Sequence, residues 1–491
     1  MFDVRDIAQR LNQPVRQWPI DLFRTLVGLL SFGHFARLWW ERHLYTSPHG
    51  ALDHALIESF YPFTIQPLLR PWMGDAWPSA VFLVAMALSL ALAAGVRSRW
   101  TAAALFLIAV CAYRWNFLVL YVDDAVMHLL LFWVALLPEG QALSWRGRAR
   151  GWREERAPGM VVRLCLANVA LIYAVAGGTK WLSPMWRDGA ALYAVLRHPV
   201  AWSPEWWDAP PGFGIQALCW VTLVVEPLLA LLVVLPRHHP LKYGLLGVGL
   251  ALHLGIIATM DLVVANLGCL ALMALVFHGE LAAPPDPEPE GRFPLGWRER
   301  VAAVMMALLT VAMIGSSLQP QWRQPVGERP APLTHRWTAE AGSAAQSIAF
   351  AGLWCMGLAQ QYRLLDWIDE RDVHLRSSRV TVRRGDALET LGYDAFLPRT
   401  TRGVLLFSYL SGFTWNALPR EQLDRLRPVI AERLARRFCR RLDGDGDVAG
   451  RVELDRTSRP GDVMEIAVTF RCASGRAEAI ALTTRGTPLD M

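Results

Sequence analysis

Lys180, Glu226 and His253 each stand in a stretch of sequence that is otherwise almost free of charge. An amine, a carboxylate and an imidazole can exchange protons, and taking an amine out of water favours the uncharged form that acts as a base. Lys180 closes the run Tyr173-Ala-Val-Ala-Gly177-Gly-Thr-Lys180, followed by Trp181 and, after Leu-Ser-Pro-Met, by Trp186. The Gly177-Gly178 pair is expected to let the backbone bend just before the amine. Glu226 precedes Pro227, which removes a backbone donor and can kink a helix. Each residue has an ordinary alternative: Lys180 can snorkel to water, a neighbouring Arg or His can satisfy Glu226, and His253 can be a hydrogen-bonded core residue. Asp123 and Asp124, with His128 one turn on, can cap a helix N-terminus and pair along it.

These side chains need apolar elements to hold them. The chain has 491 residues, of which 53% are hydrophobic and 22 are tryptophan. That composition is too apolar for a soluble enzyme and too long for one membrane span. Windows of about 20 residues predict nine spans, near 20–38, 78–96, 100–118, 124–138, 160–179, 214–235, 241–260, 262–280 and 300–317. The fourth is short, so it either extends outward through Phe117–Tyr121 or is shielded by its neighbours.

Arginine and lysine set the orientation. With a cytoplasmic N-terminus, the inner segments hold Arg5, Arg10, Arg16, Arg97, Arg99, five arginines between Arg146 and Arg156, Arg237, Lys242, Arg292 and Arg298. The outer loops hold only Arg42, Arg70, Arg187 and Arg197. The net charge of +6 is then mostly topology, and no aromatic-interleaved basic patch suggests nucleic acid. Lys180 falls at the outer end of the fifth span, facing the soluble part of the chain.

Four segments follow: an amphipathic cytoplasmic N-terminus over 1–18, a transmembrane region over 19–318, a linker with an interfacial helix over 319–365, and an extracytoplasmic α+β domain over 366–491. The fold class is mainly α, a polytopic bundle of about nine helices with that small domain outside. Within it, strands are expected over Val380–Arg384, Gly450–Arg456 and Met464–Cys472, and a helix over about Arg420–Arg441. Proline-rich stretches over 282–291 and 319–332 read as linkers. Asp443-Gly-Asp445-Gly-Asp447 starts like a calcium loop but continues with Val448 and Leu454 where glycine and glutamate are needed, so a turn is expected. Cys111, Cys165, Cys219 and Cys269 lie in or beside spans as packing residues, whereas Cys439 and Cys472 share a domain in which a disulfide is permitted. No dinucleotide loop, P-loop, nucleophile elbow or HExxH helix is present.

The run Tyr173-x-x-x-Gly177-x-x-Lys180-x-x-x-x-x-Trp186-x-Asp188-Gly189-x-Ala191-Leu192 resembles the motif of the HTTM membrane family, whose best-known members are the vitamin K-dependent gamma-glutamyl carboxylases. Leu22-Phe-Arg24-Thr-Leu-Val-Gly28 is similar to the family's first helix, and Asp123-Asp124 through Leu131-Phe132-Trp133 to Pro138 to its fourth. Glu226-Pro227 and His253 fall where the family tends to place acidic and histidine residues, and Arg436-Arg437-Phe438-Cys439-Arg440 resembles the ending of many bacterial members. The resemblance covers residues 15–280 well and the rest loosely. Where the carboxylases place an asparagine-histidine pair, this chain has Val122-Asp123.

The resemblance implies a membrane enzyme that uses a reduced quinone, vitamin K hydroquinone or menaquinol, with oxygen and carbon dioxide as co-substrates and no metal. In the carboxylases the corresponding lysine is the base that deprotonates the hydroquinone, whose oxygenation yields a base strong enough to remove a γ-proton of peptide glutamate. Lys180 is then the expected base, with His253, Glu226 and Asp123 in the catalytic set and Tyr173, Gly177, Trp181 and Trp186 around the quinone. The acceptor is a peptide or exported protein, and the environment is the lipid bilayer. The competing expectation is a non-catalytic lipid- or quinone-binding protein that assists maturation of an exported partner, with Lys180 gripping an anionic headgroup.

Overall fold

The computed structural model describes residues 11–47, 49–60, 74–115, 117–140, 156–197, 200–202, 212–235, 239–276, 294–318, 374–384, 386–391, 395–396, 400–411, 420–441, 448–459, 462–473 and 476–485. The linkers, the interfacial helix and the Asp443–Asp447 turn expected from sequence lie outside these residues.

Each of the nine apolar stretches forms a helix: α1 (Trp18–Tyr45), α3 (Ala76–Ala93), α4 (Ser98–Trp115), α5 (Val122–Leu136), α6 (Met160–Leu182), α9 (Phe213–Leu229), α10 (Pro240–Thr259), α11 (Val263–Val276) and α12 (Trp297–Leu318). Shorter helices α2 (His54–Phe60), α7 (Pro184–Arg187) and α8 (Ala191–Arg197) lie between them. Among the described residues, four helices are long and apolar enough to cross a membrane: α3, α6, α10, and α9 with the 3-10 turn Ala230–Val233 that extends it. A bilayer is the solvent such helices suit, because each satisfies its own backbone hydrogen bonds. The long α1 instead carries Asp21, Arg24, Arg37, Glu41 and Arg42. Packing α1 against other helices buries Asp21 and Arg24, and α3 is the element packed most extensively on it. The short α5 is shielded as well: every residue except Val122 and Ala135 is buried, and a separate 3-10 turn, Phe117–Val119, precedes it.

The bundle has two distinct ends. At one, β1 (Val15–Arg16) pairs with β2 (Arg156–Ala157), and the Arg163 guanidinium donates to the carbonyls of Leu11 and Gln13 at 2.6 and 2.8 Å. At the other, Tyr45, Val119, Trp186, Val195 and Met260 join a hydrophobic core with residues of the C-terminal region. That region is a five-stranded antiparallel sheet in the order β4-β3-β5-β6-β7, built from β3 (His374–Arg384), β4 (Ala387–Leu391), β5 (Val448–Arg459), β6 (Asp462–Ala473) and β7 (Arg476–Arg485). Helices α13 (Thr401–Ser411) and α14 (Arg420–Arg441) accompany it.

The periodicities explain the packing. In β6, Val468, Phe470 and Cys472 are buried while Arg471 is exposed, which is the alternation of a one-sided strand. In α14, Leu423, Leu426, Ile430, Leu434 and Phe438 recur at three- and four-residue steps and are buried. Phe438 meets Phe470 edge-on at 5.3 Å between ring centroids. A disulfide between Cys439 and Cys472, with 5.4 Å between their Cα atoms, ties the end of α14 to the end of β6. Sequence periodicity had left β4, β7 and α13 unassigned.

Candidate functional site

Lys180 and Glu226 meet. The Lys180 Nζ lies 2.6 Å from Glu226 Oε2, and Lys180 is only 3% exposed. The sequence placed this lysine near the outer surface; it is instead enclosed by protein. Local packing explains the meeting. A Cβ added to Gly177 would stand 2.5 Å from Pro227 Cδ and 2.7 Å from its nitrogen, so glycine there is what lets α6 close onto the proline ring of α9. Lys180 is nearly one turn beyond Gly177, and Glu226 is the residue before Pro227. The close approach therefore delivers both charges to one point. The bend expected at Gly177-Gly178 is not a break: α6 runs unbroken from Met160 to Leu182.

The segment after α6 folds back beneath the amine. The Lys180 ammonium stands 5.5 Å from the centroid of the buried Trp186 ring, a distance at which the ring face attracts a cation. Gly189 takes a left-handed conformation at φ 77°, and a Cβ there would press on Gln216 at 3.0 Å. Trp181 does not enclose the amine from the other side. Its indole N–H donates to the Leu223 carbonyl at 2.7 Å, and 48% of the residue is exposed on the outer wall of the bundle.

Two turns back along α6, Tyr173 begins a second polar contact. Its hydroxyl lies 2.6 Å from His253 Nε2 on α10, and His253 Nδ1 lies 2.8 Å from Asn266 Oδ1 on α11. The Asn266 amide donates to the Leu262 carbonyl at 2.6 Å, which fixes its oxygen toward the ring. Because that oxygen can only accept, His253 Nδ1 carries the proton and Nε2 accepts from the tyrosine. Helices α6, α9 and α10, three of the four able to cross a membrane, thus carry Tyr173 and Lys180, Glu226, and His253 respectively.

Asp123 belongs to a different cluster. Its carboxylate accepts the backbone N–H groups of Val264 and Ala265 at 3.1 and 2.9 Å and the Tyr121 hydroxyl at 3.2 Å. It is an anion at the N-terminus of α11, where the helix dipole favours negative charge. Asp124, beside it, receives Arg402 of α13 at 2.5 Å and stands 3.6 Å from His34. Arg402 also pairs with Glu41 at 2.6 Å and lies over the Tyr121 ring at 4.9 Å. Arg37 donates to both carboxylate oxygens of Asp261 at 2.7 and 2.5 Å and to Glu41 at 3.2 Å. The Asp261 carboxylate further accepts the backbone N–H and hydroxyl of Thr401. Burial opposes the Arg402 charge, but Asp124 and Glu41 outweigh it and raise the guanidinium above its ordinary range.

Of the eight residues expected at the site, Lys180 and Glu226 are brought together over Trp186, and Tyr173 is joined to His253. Gly177 packs the helices, Trp181 forms an outer wall, and Asp123 stands apart on the end of α11. Asn266, Arg37, Glu41, Asp261 and Arg402 were not singled out in the sequence. Only the i, i+4 spacing of Arg37 and Glu41 within an apolar helix carried a readable signal. Comparison with protein-family models, curated proteins and solved structures finds no match.

Proposed function

We propose that this chain is an integral membrane enzyme resembling the vitamin K-dependent carboxylases, in which Lys180 with Glu226 takes a proton from a membrane-soluble reduced quinone. The observation that carries the reading is the 2.6 Å contact of the buried Lys180 with the partly buried Glu226, beside an exposed apolar wall. An intramembrane charge pair is expensive to place in an apolar bundle and marks a functional site by default. When bound, a hydroquinone would supply the acidic hydroxyl and, with oxygen, the oxidising power to activate a peptide for carboxylation. Exposed Trp181 and Val224 beside the buried pair fit an apolar ring arriving from the bilayer.

The residues themselves would act as follows. The pair shares one proton; with that proton on the Glu226 carboxylate, the Lys180 amine is uncharged and takes the second proton, leaving an ammonium and a carboxylic acid. The Trp186 ring face would stabilise the charge gained. Tyr173, its O–H donating to His253, would offer its hydroxyl oxygen as an acceptor to a donor on the substrate. Asp123 would act through position alone, by holding the first turn of α11 from which Asn266 projects.

Nine crossings with a cytoplasmic N-terminus complete the proposal. The opposite placement of the β1–β2 end and the C-terminal region supports it, as do the arginines gathered toward the former in sequence. The Cys439–Cys472 disulfide supports an extracytoplasmic, oxidising location for the C-terminal region.

The test is to supply purified protein with vitamin K hydroquinone or menaquinol, oxygen and carbon dioxide, and measure quinone epoxide. Turnover in the wild type that disappears in Lys180→Ala and Lys180→Arg, with quinone binding retained, is the expected result. A second reading is favoured by the ion pair itself: a lysine neutralised by a carboxylate can be a structural clamp in a lipid- or quinone-binding protein that assists an exported partner. That reading expects no epoxide from any form of the protein.

A further inference from the structure

Four exposed tryptophans mark two levels. Trp40 and Trp77 are 78% and 43% exposed at the end of the bundle that carries the C-terminal region, while Trp100 and Trp297 are 71% and 57% exposed at the other end. The 18 residues of α3 separate these levels, which at 1.5 Å per residue is about 27 Å, near the thickness of a bilayer's hydrocarbon core. Such belts mark the headgroup level on each side.

Just beyond the first belt, arginines from two separate parts of the chain converge. Arg42 stands near the end of α1, its guanidinium 4.3 Å from the Trp39 ring centroid and donating to the Ser79 hydroxyl at 2.6 Å. From α14, Arg433 anchors the helix on the same corner, donating to the carbonyls of Gly50 and Leu52 and pairing with Asp53 at 2.6 Å. Arg437, one turn on, carries that face toward the end of α1, and Arg440 and Arg441 follow it into solvent. Arg437 interacts electrostatically with Tyr45 and with Arg440 and Arg441, and the exposed His43 feels both Arg42 and Arg437. The acidic groups nearby are already engaged: Asp75 accepts the Ser47 hydroxyl at 2.5 Å, Asp53 holds Arg433, and Glu432 pairs with Arg436. No carboxylate pairs with Arg42, Arg437, Arg440 or Arg441 among the described residues.

We propose that Arg42, Arg437, Arg440 and Arg441 form a binding site for the phosphate of an anionic phospholipid headgroup, which fastens α14 to the membrane surface. Like charges gathered at one place repel unless an anion sits among them, and the tryptophan belt puts a layer of phosphates at this height. Guanidinium groups match phosphate geometry with paired donors, and each basic residue at a charged membrane surface strengthens binding severalfold. The inference needs a bilayer around the helices and is independent of the chemistry at Lys180.

The test uses full-length protein in mixed micelles of phosphatidylglycerol and phosphatidylcholine, with retained lipids counted by native mass spectrometry. Wild type is expected to keep phosphatidylglycerol in preference, and Arg437→Gln/Arg440→Gln/Arg441→Gln to lose that preference by about tenfold or more. Arg471→Gln, an exposed arginine on β6, should leave it unchanged, and circular dichroism should show all three proteins equally folded. Equal retention of both lipids by wild type overturns the proposal, as does an undiminished preference in the triple variant. Binding of inorganic phosphate at millimolar concentration without phosphatidylglycerol retention overturns it too, since the site would then serve a soluble anion.

Discussion

The Lys180–Glu226 contact and the Arg402 network are both buried ionic clusters, and they differ in how they are closed. Arg402 and Arg37 meet Glu41, Asp124 and Asp261 in interlocking pairs, while the neighbouring Asp123 is satisfied by two backbone N–H groups and a tyrosine hydroxyl. This network joins α1, α5, the start of α11 and α13, elements remote in sequence, and each of its two guanidinium groups meets two carboxylates. Lys180 and Glu226 join α6 to α9 beside the exposed Trp181. A network of shared charges holds elements together; a charge pair beside an exposed apolar wall lies where a substrate from the bilayer could reach it.

The contrast makes opposite demands on mutants. The largest effect should follow Arg402→Ala, which leaves the buried Asp124 without its guanidinium and Glu41 with Arg37 alone. Removing one partner of a buried pair costs about 3–5 kcal/mol, so thermal unfolding should fall by many degrees, and retention of wild-type stability would break the comparison. Next comes Cys439→Ser, which frees α14 from β6 across 33 residues of sequence. A loss of about 2–4 kcal/mol is expected in the C-terminal region, measured by denaturant unfolding of intact protein with and without reductant.

The outer corner should also respond to pH. His54 lies outside the spans, stacked on Trp115 at 3.8 Å with Nδ1 donating to the Trp115 carbonyl at 2.8 Å. Burial, joined by the Arg433 charge, pushes its pKa down from 6.5 to about 3. The unfolded chain therefore takes up a proton that the folded chain refuses, so this contribution is complete above pH 6.5 and is lost progressively as pH falls toward 3. Between pH 7.5 and pH 5 the loss is about 2 kcal/mol, and His54→Gln should flatten that part of the stability curve. Gly177→Ala is expected to cost about 1–2 kcal/mol by pushing α6 from Pro227, and to lower turnover further than stability because Lys180 moves with the helix. The smallest stability change should come from the double variant Lys180→Met/Glu226→Gln, within about 1 kcal/mol of wild type, while turnover is abolished.

Much of this arrangement could be read in the sequence, and the limits were physical. Runs of apolar residues marked all nine long helices, and the three- and four-residue apolar steps marked α14 at Arg420–Arg441. Lys180, Glu226 and His253 stood out because charge in an apolar run is costly. Their pairing did not, since it depends on how α6 crosses α9, and Gly177 and Pro227 gave the crossing point only once their contact was seen. Asp123 was grouped with the lysine by resemblance, whereas its partners are the first N–H groups of α11. Arg402 was illegible because the carboxylates it neutralises lie 278 and 361 residues away. The stretch that forms α13 was not read as a helix, so nothing in the sequence pointed Arg402 inward.

The central claim is that the Lys180–Glu226 pair does chemistry and the Arg402 network does not. It is tested most directly by epoxide formation from a reduced quinone by Lys180→Arg in lipid nanodiscs, compared with wild type at equal folded fraction. Arginine keeps the charge and can keep the ion pair, but it cannot give up its proton. The account predicts turnover by wild type and a loss of at least about 100-fold in the arginine variant; equal turnover in both, or none in wild type, would contradict it.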